Sequence, residues 1–377
     1  MYLKKNFFFQ LYLFLILFCF SVELNTPLAF YGTQFFGVAM LVLCRLIFYP
    51  KISIIKIFII TILVFFWELL IYFQSLFTLY DNLFINSQKS VFLFMSMFLI
   101  SDILIAKFDK EVFLNAINMY ILFIGSIVFF QFFAFYFLGM PKESLDLSLL
   151  LGGESSRTGY LDALYRPTSV MPEPAIFVGV QISLLVLQYL LKKENNIIRL
   201  FGLVSILMSM SFAGVLLVAI YGTFVYINKI RNIVFYLIFI LIASVFLNQI
   251  FMDRYNNILS GDDGSNGVKL EIINSFLSSS NYMIFGYGNV VANEKTPKFF
   301  EGATDLTFFA TVFGVYGLFI GFCVLLIFFC WLYTSKFNFR EKIIILIPLI
   351  KLTNPGVIFF SCFIFLLLII NRGRSNK

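Results

Sequence analysis

Histidine is absent from the sequence, and charged residues make up only 12% of its 377 positions. In contrast, 61% of the residues are hydrophobic. A soluble protein of this composition would be covered by apolar patches, which soluble monomers rarely expose. The sequence therefore excludes a soluble globular protein and predicts an all-α polytopic membrane protein.

Cysteine is also missing from the polar segments. The five cysteines all lie within apolar stretches, at Cys19, Cys44, Cys323, Cys330 and Cys362. No disulfide framework is implied, and the five are interpreted as packing residues.

Apolar stretches long enough to cross a hydrocarbon core of roughly 30 Å are abundant. They run near 7–22, 28–48, 57–79, 89–106, 112–138, 174–191, 233–250 and 305–333. Two more, 198–228 and 343–370, are too long for one crossing, since at 1.5 Å per residue they would measure about 46 and 42 Å. Each contains a polar break, at Ser209–Gly214 and Lys351–Gly356. Both are predicted to be hairpins, which gives about 12 transmembrane helices in one domain, residues 1–377.

The distribution of basic residues orients these helices. With both termini in the cytoplasm, 18 of the 27 basic residues flank the spans on the cytoplasmic side and nine lie outside, as the positive-inside rule requires. The net charge of +7 is then a property of one face, and it does not indicate a nucleic-acid partner. Two large extracytoplasmic loops, about 139–173 and 251–304, are where function is expected.

The end of the first loop combines charge with a stiff backbone. Residues 166–174 read Arg-Pro-Thr-Ser-Val-Met-Pro-Glu-Pro, and the three prolines exclude a regular helix before the next span. Pro174 is expected in the first helical turn, with Glu173 at the cap position. Glu173 either caps this helix or positions a sugar hydroxyl near Arg166. The sequence leaves both interpretations open.

Cationic residues of the outer loops form a second candidate set. Arg157, Arg166, Arg254 and Lys269 suit a phosphate-bearing ligand, because a guanidinium binds two oxygens at once. Taken singly, each is more simply a solvated loop charge or a headgroup anchor. Asp305, at the start of a span, is either a helix cap or a second reactive carboxylate.

One carboxylate falls inside an apolar span. Glu68 would cost about 3 kcal/mol if it faced lipid at mid-depth. It is therefore expected to face the interior of the helix bundle or a wet cavity.

Four features between about residue 157 and the C-terminus resemble the O-antigen polymerase (Wzy) family, which is related to the O-antigen ligases. They are Arg166–Pro174 before a span, Ser209–Gly214 at a hairpin tip, Asp253-Arg254-Tyr255 with Gly286-Tyr287-Gly288 in the second loop, and Ala303-Thr304-Asp305 entering a span that contains Gly314 and Gly317.

The resemblance implies a GT-C-like glycosyltransferase of the bacterial inner membrane that needs no metal or other cofactor. Its donor and acceptor would be undecaprenyl-pyrophosphate-linked oligosaccharide repeat units, joined on the periplasmic side. Besides membrane lipids, a chain-length regulator protein would be a candidate partner. Glu173, Arg166 and Asp305 would be catalytic, and Arg157, Arg254 and Lys269 would bind the pyrophosphate.

The sequence also departs from the family. Phe212 stands where the family often has an arginine, and Lys269 replaces another arginine, which keeps the charge but loses the two-pronged geometry. The ligases use a histidine near the entry to the span that begins here at Asp305, and this chain has none. A polymerase is therefore favoured over a ligase. The alternative from another class is a flippase for the same lipid-linked sugars, which would usually have short loops and repeated halves.

Overall fold

The computed structural model of the protein describes residues 2–22, 34–78, 82–151, 165–191, 196–226, 264–290, 296–297, 300, 306–352 and 358–375. Its helices, in chain order, are α1 (Tyr2–Ser21), α2 (Phe36–Phe48), α3 (Ile54–Ser75), α4 (Asn82–Ala106), α5 (Lys110–Tyr136), α6 (Leu147–Leu150), α7 (Pro174–Leu190), α8 (Asn196–Met208), α9 (Phe212–Tyr226), α10 (Gly264–Ser278), α11 (Ser280–Phe285), α12 (Phe308–Thr334), α13 (Phe339–Leu346) and α14 (Ile358–Ser375). Short 3-10 turns occupy Lys142–Leu145 and Pro348–Ile350.

By length and composition four of these helices are candidates to cross a membrane, namely α3, α4, α5 and α12, of which α12 is divided at Gly317. The other apolar helices are shorter, such as α7 with 17 residues and α8 with 13. An α-helical membrane protein is thus confirmed, whereas the total of about 12 spans stays a prediction. The predicted span 233–250 lies outside the described residues.

Helix α7 forms the centre of the bundle. Every residue from 177 to 188 is buried, and the helix packs against α5, α8, α9 and α14. A helix that is apolar on all sides is stable only when other helices cover it. The N-terminal end of α7 is therefore held in place from several directions.

Largely buried ion pairs lie together at one face of the bundle. Arg45, at the end of α2, lies 2.6 Å from one carboxylate oxygen of Asp102 near the end of α4, and Lys56 at the start of α3 lies 2.6 Å from the other. The Arg45 side chain is fully buried and also donates to the carbonyl oxygens of Leu99 and Lys51. These contacts place the three helix ends on the same side.

The C-terminal helix ends on this side too. Arg374 binds both carboxylate oxygens of Glu341 in α13, at 2.7 and 3.0 Å, and donates to the carbonyl oxygen of Leu190 at the end of α7. Gly373 packs against the ring of Phe108, just after α4. The sequence assigned all these ends to the cytoplasm, and they share one face, which we call the basic face. Helices α3 and α5 start at the basic face and α7 ends there, so the ends of α3 and α5 and the start of α7 lie at the opposite face.

The predicted span 305–333 is not one straight helix. The backbone breaks at Gly317, with φ 78° and ψ 170°, and the first half of α12 folds back along the second. The rings of Phe308 and Phe328 lie 5.8 Å apart, and those of Phe309 and Phe329 lie 5.9 Å apart. We call the two halves α12a (308–316) and α12b (318–334). The 17 residues of α12b measure about 26 Å, so α12b alone nearly spans the core.

Candidate functional site

The candidate site lies where the proline-rich segment 165–173 meets the start of α7. The segment is not helical, and α7 begins with Pro174 in its first turn and with Glu173 as an extended N-cap residue. Both predictions about this junction are confirmed. The Glu173 side chain makes no capping hydrogen bond, so its capping role is limited to the favourable interaction of its charge with the helix N-terminus.

Gln131 of α5 fixes the middle of this segment. Its amide nitrogen donates to the carbonyl oxygens of Leu145 (2.9 Å) and Ser169 (3.0 Å), and its amide oxygen accepts from the Ser169 N–H (2.8 Å). The Ser169 hydroxyl donates to the carbonyl oxygen of Ile124 at 3.0 Å. Ser169 has a φ of 59°, which is unfavourable for a residue with a Cβ. The three hydrogen bonds that reach Ser169 maintain this strained turn between Arg166 and Glu173.

Tyr136, the last residue of α5, fixes the beginning of the segment. Its hydroxyl donates to the carbonyl oxygen of Tyr165 (2.8 Å) and accepts from the Tyr165 N–H (3.2 Å). The Tyr165 ring stacks on Phe135 with ring centroids 4.9 Å apart. Burial, and then the nearby Asp146 and Tyr136, raise the pKa of the Tyr165 hydroxyl well above its usual range. Tyr165 therefore stays protonated near neutral pH and does not compete with a carboxylate as a base.

Two segments, residues 209–214 and residues 351–352, pack against the first half of α7. Helices α8 and α9 meet at residues 209–211, where Met210 has a φ of 49° and its sulfur lies 3.4 Å from the Tyr136 hydroxyl. Gly214, in the first turn of α9, packs on Val178 of α7. From the other direction, Lys351 and Leu352 lie against Gly179.

Three of the six predicted site residues lie in the described part of the chain, on two different segments. Arg166 and Glu173 are both half-buried and flank the turn at Ser169. Lys269 is also half-buried, but it belongs to α10, which packs on α11. The other three predicted residues, Arg157, Arg254 and Asp305, lie outside the described residues. Arg166 and Glu173 are therefore the part of the predicted site whose surroundings are defined.

Two of the sequence features that resemble the polymerase family contact each other. The N–H groups of Tyr287 and Gly288 donate to the carbonyl oxygens of Gly314 (2.8 Å) and Val315 (3.2 Å), which are the last turn of α12a. Gly317 packs against the carbonyl of Ile284, where an added Cβ would lie 2.1 Å from the oxygen. The glycines allow this close backbone contact at the α12 turn.

Gln74, at the end of α3, completes this contact. Its amide nitrogen donates to the carbonyl oxygens of Phe285 (2.8 Å) and Val315 (2.7 Å), and the side chain is almost fully buried. Gln74 thereby connects the end of α3, the end of α11 and the α12 turn.

The sequence reasoning missed the glutamines that hold these segments. Gln131 stands between two pairs of phenylalanines, and Gln74 follows Ile-Tyr-Phe. An amide within an apolar span is expensive unless it has a partner, so each was a detectable signal. Glu68, which was noticed, lies with both carboxylate oxygens near the amide nitrogen of Gln88, at 2.7 and 2.8 Å. It faces α4, as expected.

No group of three or more Cys, Asp or Glu side chains that could hold a metal ion occurs among the residues that the structure describes. Comparisons with known proteins supply no further guidance, because no protein-family model, curated protein or solved structure matches the chain. The function therefore has to be argued from the residues and their geometry.

Proposed function

We propose that the protein is a polysaccharide polymerase of the membrane, which joins undecaprenyl-pyrophosphate-linked oligosaccharide units, as in O-antigen synthesis. The observation that carries this proposal is that Arg166 and Glu173 lie on either side of the Ser169 turn at the opposite face. Both lie on a non-helical segment that Gln131 and Tyr136 hold in place at the start of the central helix. A cation and a carboxylate carried by a backbone held in this way suit a reaction between two lipid-anchored substrates.

The proposed reaction is a displacement at the anomeric carbon of the donor sugar. A hydroxyl oxygen of the acceptor bonds to that carbon, the bond from the carbon to the pyrophosphate oxygen breaks, and the hydroxyl proton leaves. Glu173 orients the hydroxyl and accepts the proton. Arg166 stabilises the negative charge that develops on the leaving pyrophosphate, since a guanidinium binds two phosphate oxygens. The resemblance assigns the same task to Arg157, Arg254 and Lys269, and assigns Asp305 as a second carboxylate.

The orientation follows from the charge distribution. The basic face, with Arg45, Lys56 and Arg374, is proposed to be cytoplasmic by the positive-inside rule. The opposite face, with Arg166 and Glu173, is then periplasmic, and both termini are cytoplasmic. A GT-C-like bundle of about 12 spans belongs to this proposal, as does a bacterial inner-membrane location.

The test is to supply the purified protein in liposomes with lipid-linked repeat units and to separate the products on a gel. A ladder of chains that grow by one repeat unit supports the polymerase. Transfer of a single unit to a lipid A core would identify a ligase, and movement of the donor across the bilayer without elongation would identify a flippase. Either of these results, without a ladder, would refute the proposal.

A further inference from the structure

An apolar cavity of about 280 Å³ lies between α10 and the first half of α12, on elements separate from the 165–173 segment. Its walls include Ile273, Phe276 and Leu277 of α10, Ala310 and Phe313 of α12a, and the ring of Tyr287. Tyr287 is the only lining residue with a polar side-chain atom, and its hydroxyl is buried. Water in the cavity would find almost no hydrogen-bond partners, so the cavity is suited to hydrocarbon.

The helix that covers this cavity is apolar on two sides. Ile272 and Phe276 are buried against the protein. Leu270, Ile273 and Leu277 point outward with exposed fractions of 62%, 38% and 58%. Their spacing of three and four residues places them on one face of α10. This stripe gives α10 a second apolar surface, of the kind that contacts lipid hydrocarbon in a membrane protein.

The cavity opens onto that stripe. Ile273 and Leu277 belong both to the cavity wall and to the exposed face of α10, and the lining residue Leu318 of α12b is 40% exposed. The entrance therefore faces the hydrocarbon region beside α10. An empty cavity at this position would forfeit dispersion contacts that an entering chain restores.

We propose that this cavity binds one acyl chain of a phospholipid, inserted sideways beneath α10. With roughly 30 Å³ for each small group, the cavity holds about nine methylene-sized units, or about half of a common fatty-acyl chain. Phospholipid acyl chains make up the hydrocarbon region onto which the entrance opens, so they are the most abundant chains that can enter it. The site depends on membrane insertion and is independent of the proposed polymerase activity.

The experiment reconstitutes the protein in nanodiscs with a phospholipid that carries a photoreactive diazirine in its acyl chain. After illumination, mass spectrometry maps the labelled residues. We expect severalfold more label on the cavity residues of α10 and α12a than on lipid-facing Phe65 and Phe66 of α3. Ala310→Leu, which adds three heavy atoms to the cavity wall, lowers the cavity label severalfold and leaves the α3 label unchanged. Ala219→Leu on α9 is the matched control and changes neither.

Two results would overturn the proposal. One is cavity labelling no stronger than that of α3 and insensitive to Ala310→Leu; if that variant does not insert, the smaller Ala310→Val replaces it. The other comes from the wild-type protein, if an equal amount of polyprenyl phosphate removes the cavity label, which would make a prenyl lipid the occupant. Retention of the label under that competition supports the acyl chain.

Discussion

Replacing Gln131 with leucine tests whether the 165–173 segment is held rigidly. Leucine has a side chain of similar size but removes all three hydrogen bonds to Leu145 and Ser169. Each hydrogen bond contributes about 1 kcal/mol, and a buried backbone group left unpaired costs about 1–3 kcal/mol. The strained φ of Ser169 adds to the loss because nothing then maintains it. We expect the variant to be destabilised by about 3 kcal/mol.

The assay is thermal unfolding in detergent, followed with a thiol-reactive fluorophore. Cys362 is fully buried in α14, so labelling beyond that of the exposed Cys330 and the half-buried cysteines of the folded protein reports the opening of the bundle. Gln131→Leu should unfold several degrees below the wild type, and its polymerising activity should fall even where the protein is still folded. Gln10→Leu is the matched control, since Gln10 donates only to the sulfur of Met119. Wild-type unfolding and activity for Gln131→Leu would refute the reasoning.

Further predictions concern the α12 turn and the basic face, and all are measured by the same unfolding assay. Gly317→Ala should cost about 2 kcal/mol or more, because its φ of 78° is unfavourable and its Cβ would meet a backbone oxygen; Gly267→Ala, with open space around it, should be neutral or stabilising. Asp102→Asn should cost at least about 2 kcal/mol because it leaves two largely buried cations without a counter-charge, whereas Asp109→Ala removes only a helix cap worth about 1 kcal/mol. Tyr287→Phe should be neutral, since the buried hydroxyl has no hydrogen-bond partner. Wild-type stability of Gly317→Ala or of Asp102→Asn would contradict the role given to that residue. Severe destabilisation of Tyr287→Phe would show that the hydroxyl contributes a stabilising interaction.

Local features of the fold can be predicted from the sequence where the properties of individual residues determine them. The prolines around Glu173 set the start of α7, because proline cannot occupy a helix interior but fits its first turn. The convergence of basic helix ends on one face follows from the positive-inside pattern. In both cases a single residue type determines the local outcome.

The features that could not be predicted from the sequence depend on contacts between segments that are distant along the chain. The reversal at Gly317 lies in a continuous apolar run, where composition alone predicts one long helix. It becomes stable only because Tyr287, Gly288 and Gln74 supply partners for the backbone groups of the broken turn. The cavity beneath α10 escaped for the same reason, since α10 falls in a segment that was interpreted as a polar loop.

The most direct test of the proposed site compares elongation by four alanine variants in the liposome assay. Arg166→Ala and Glu173→Ala alter the candidate site, whereas Arg372→Ala at the basic face and Glu143→Ala in the first outer loop replace exposed charges of the same kind. We expect the first two variants to insert normally and to make no ladder, while the last two make wild-type ladders. Normal ladders from both Arg166→Ala and Glu173→Ala would contradict this expectation.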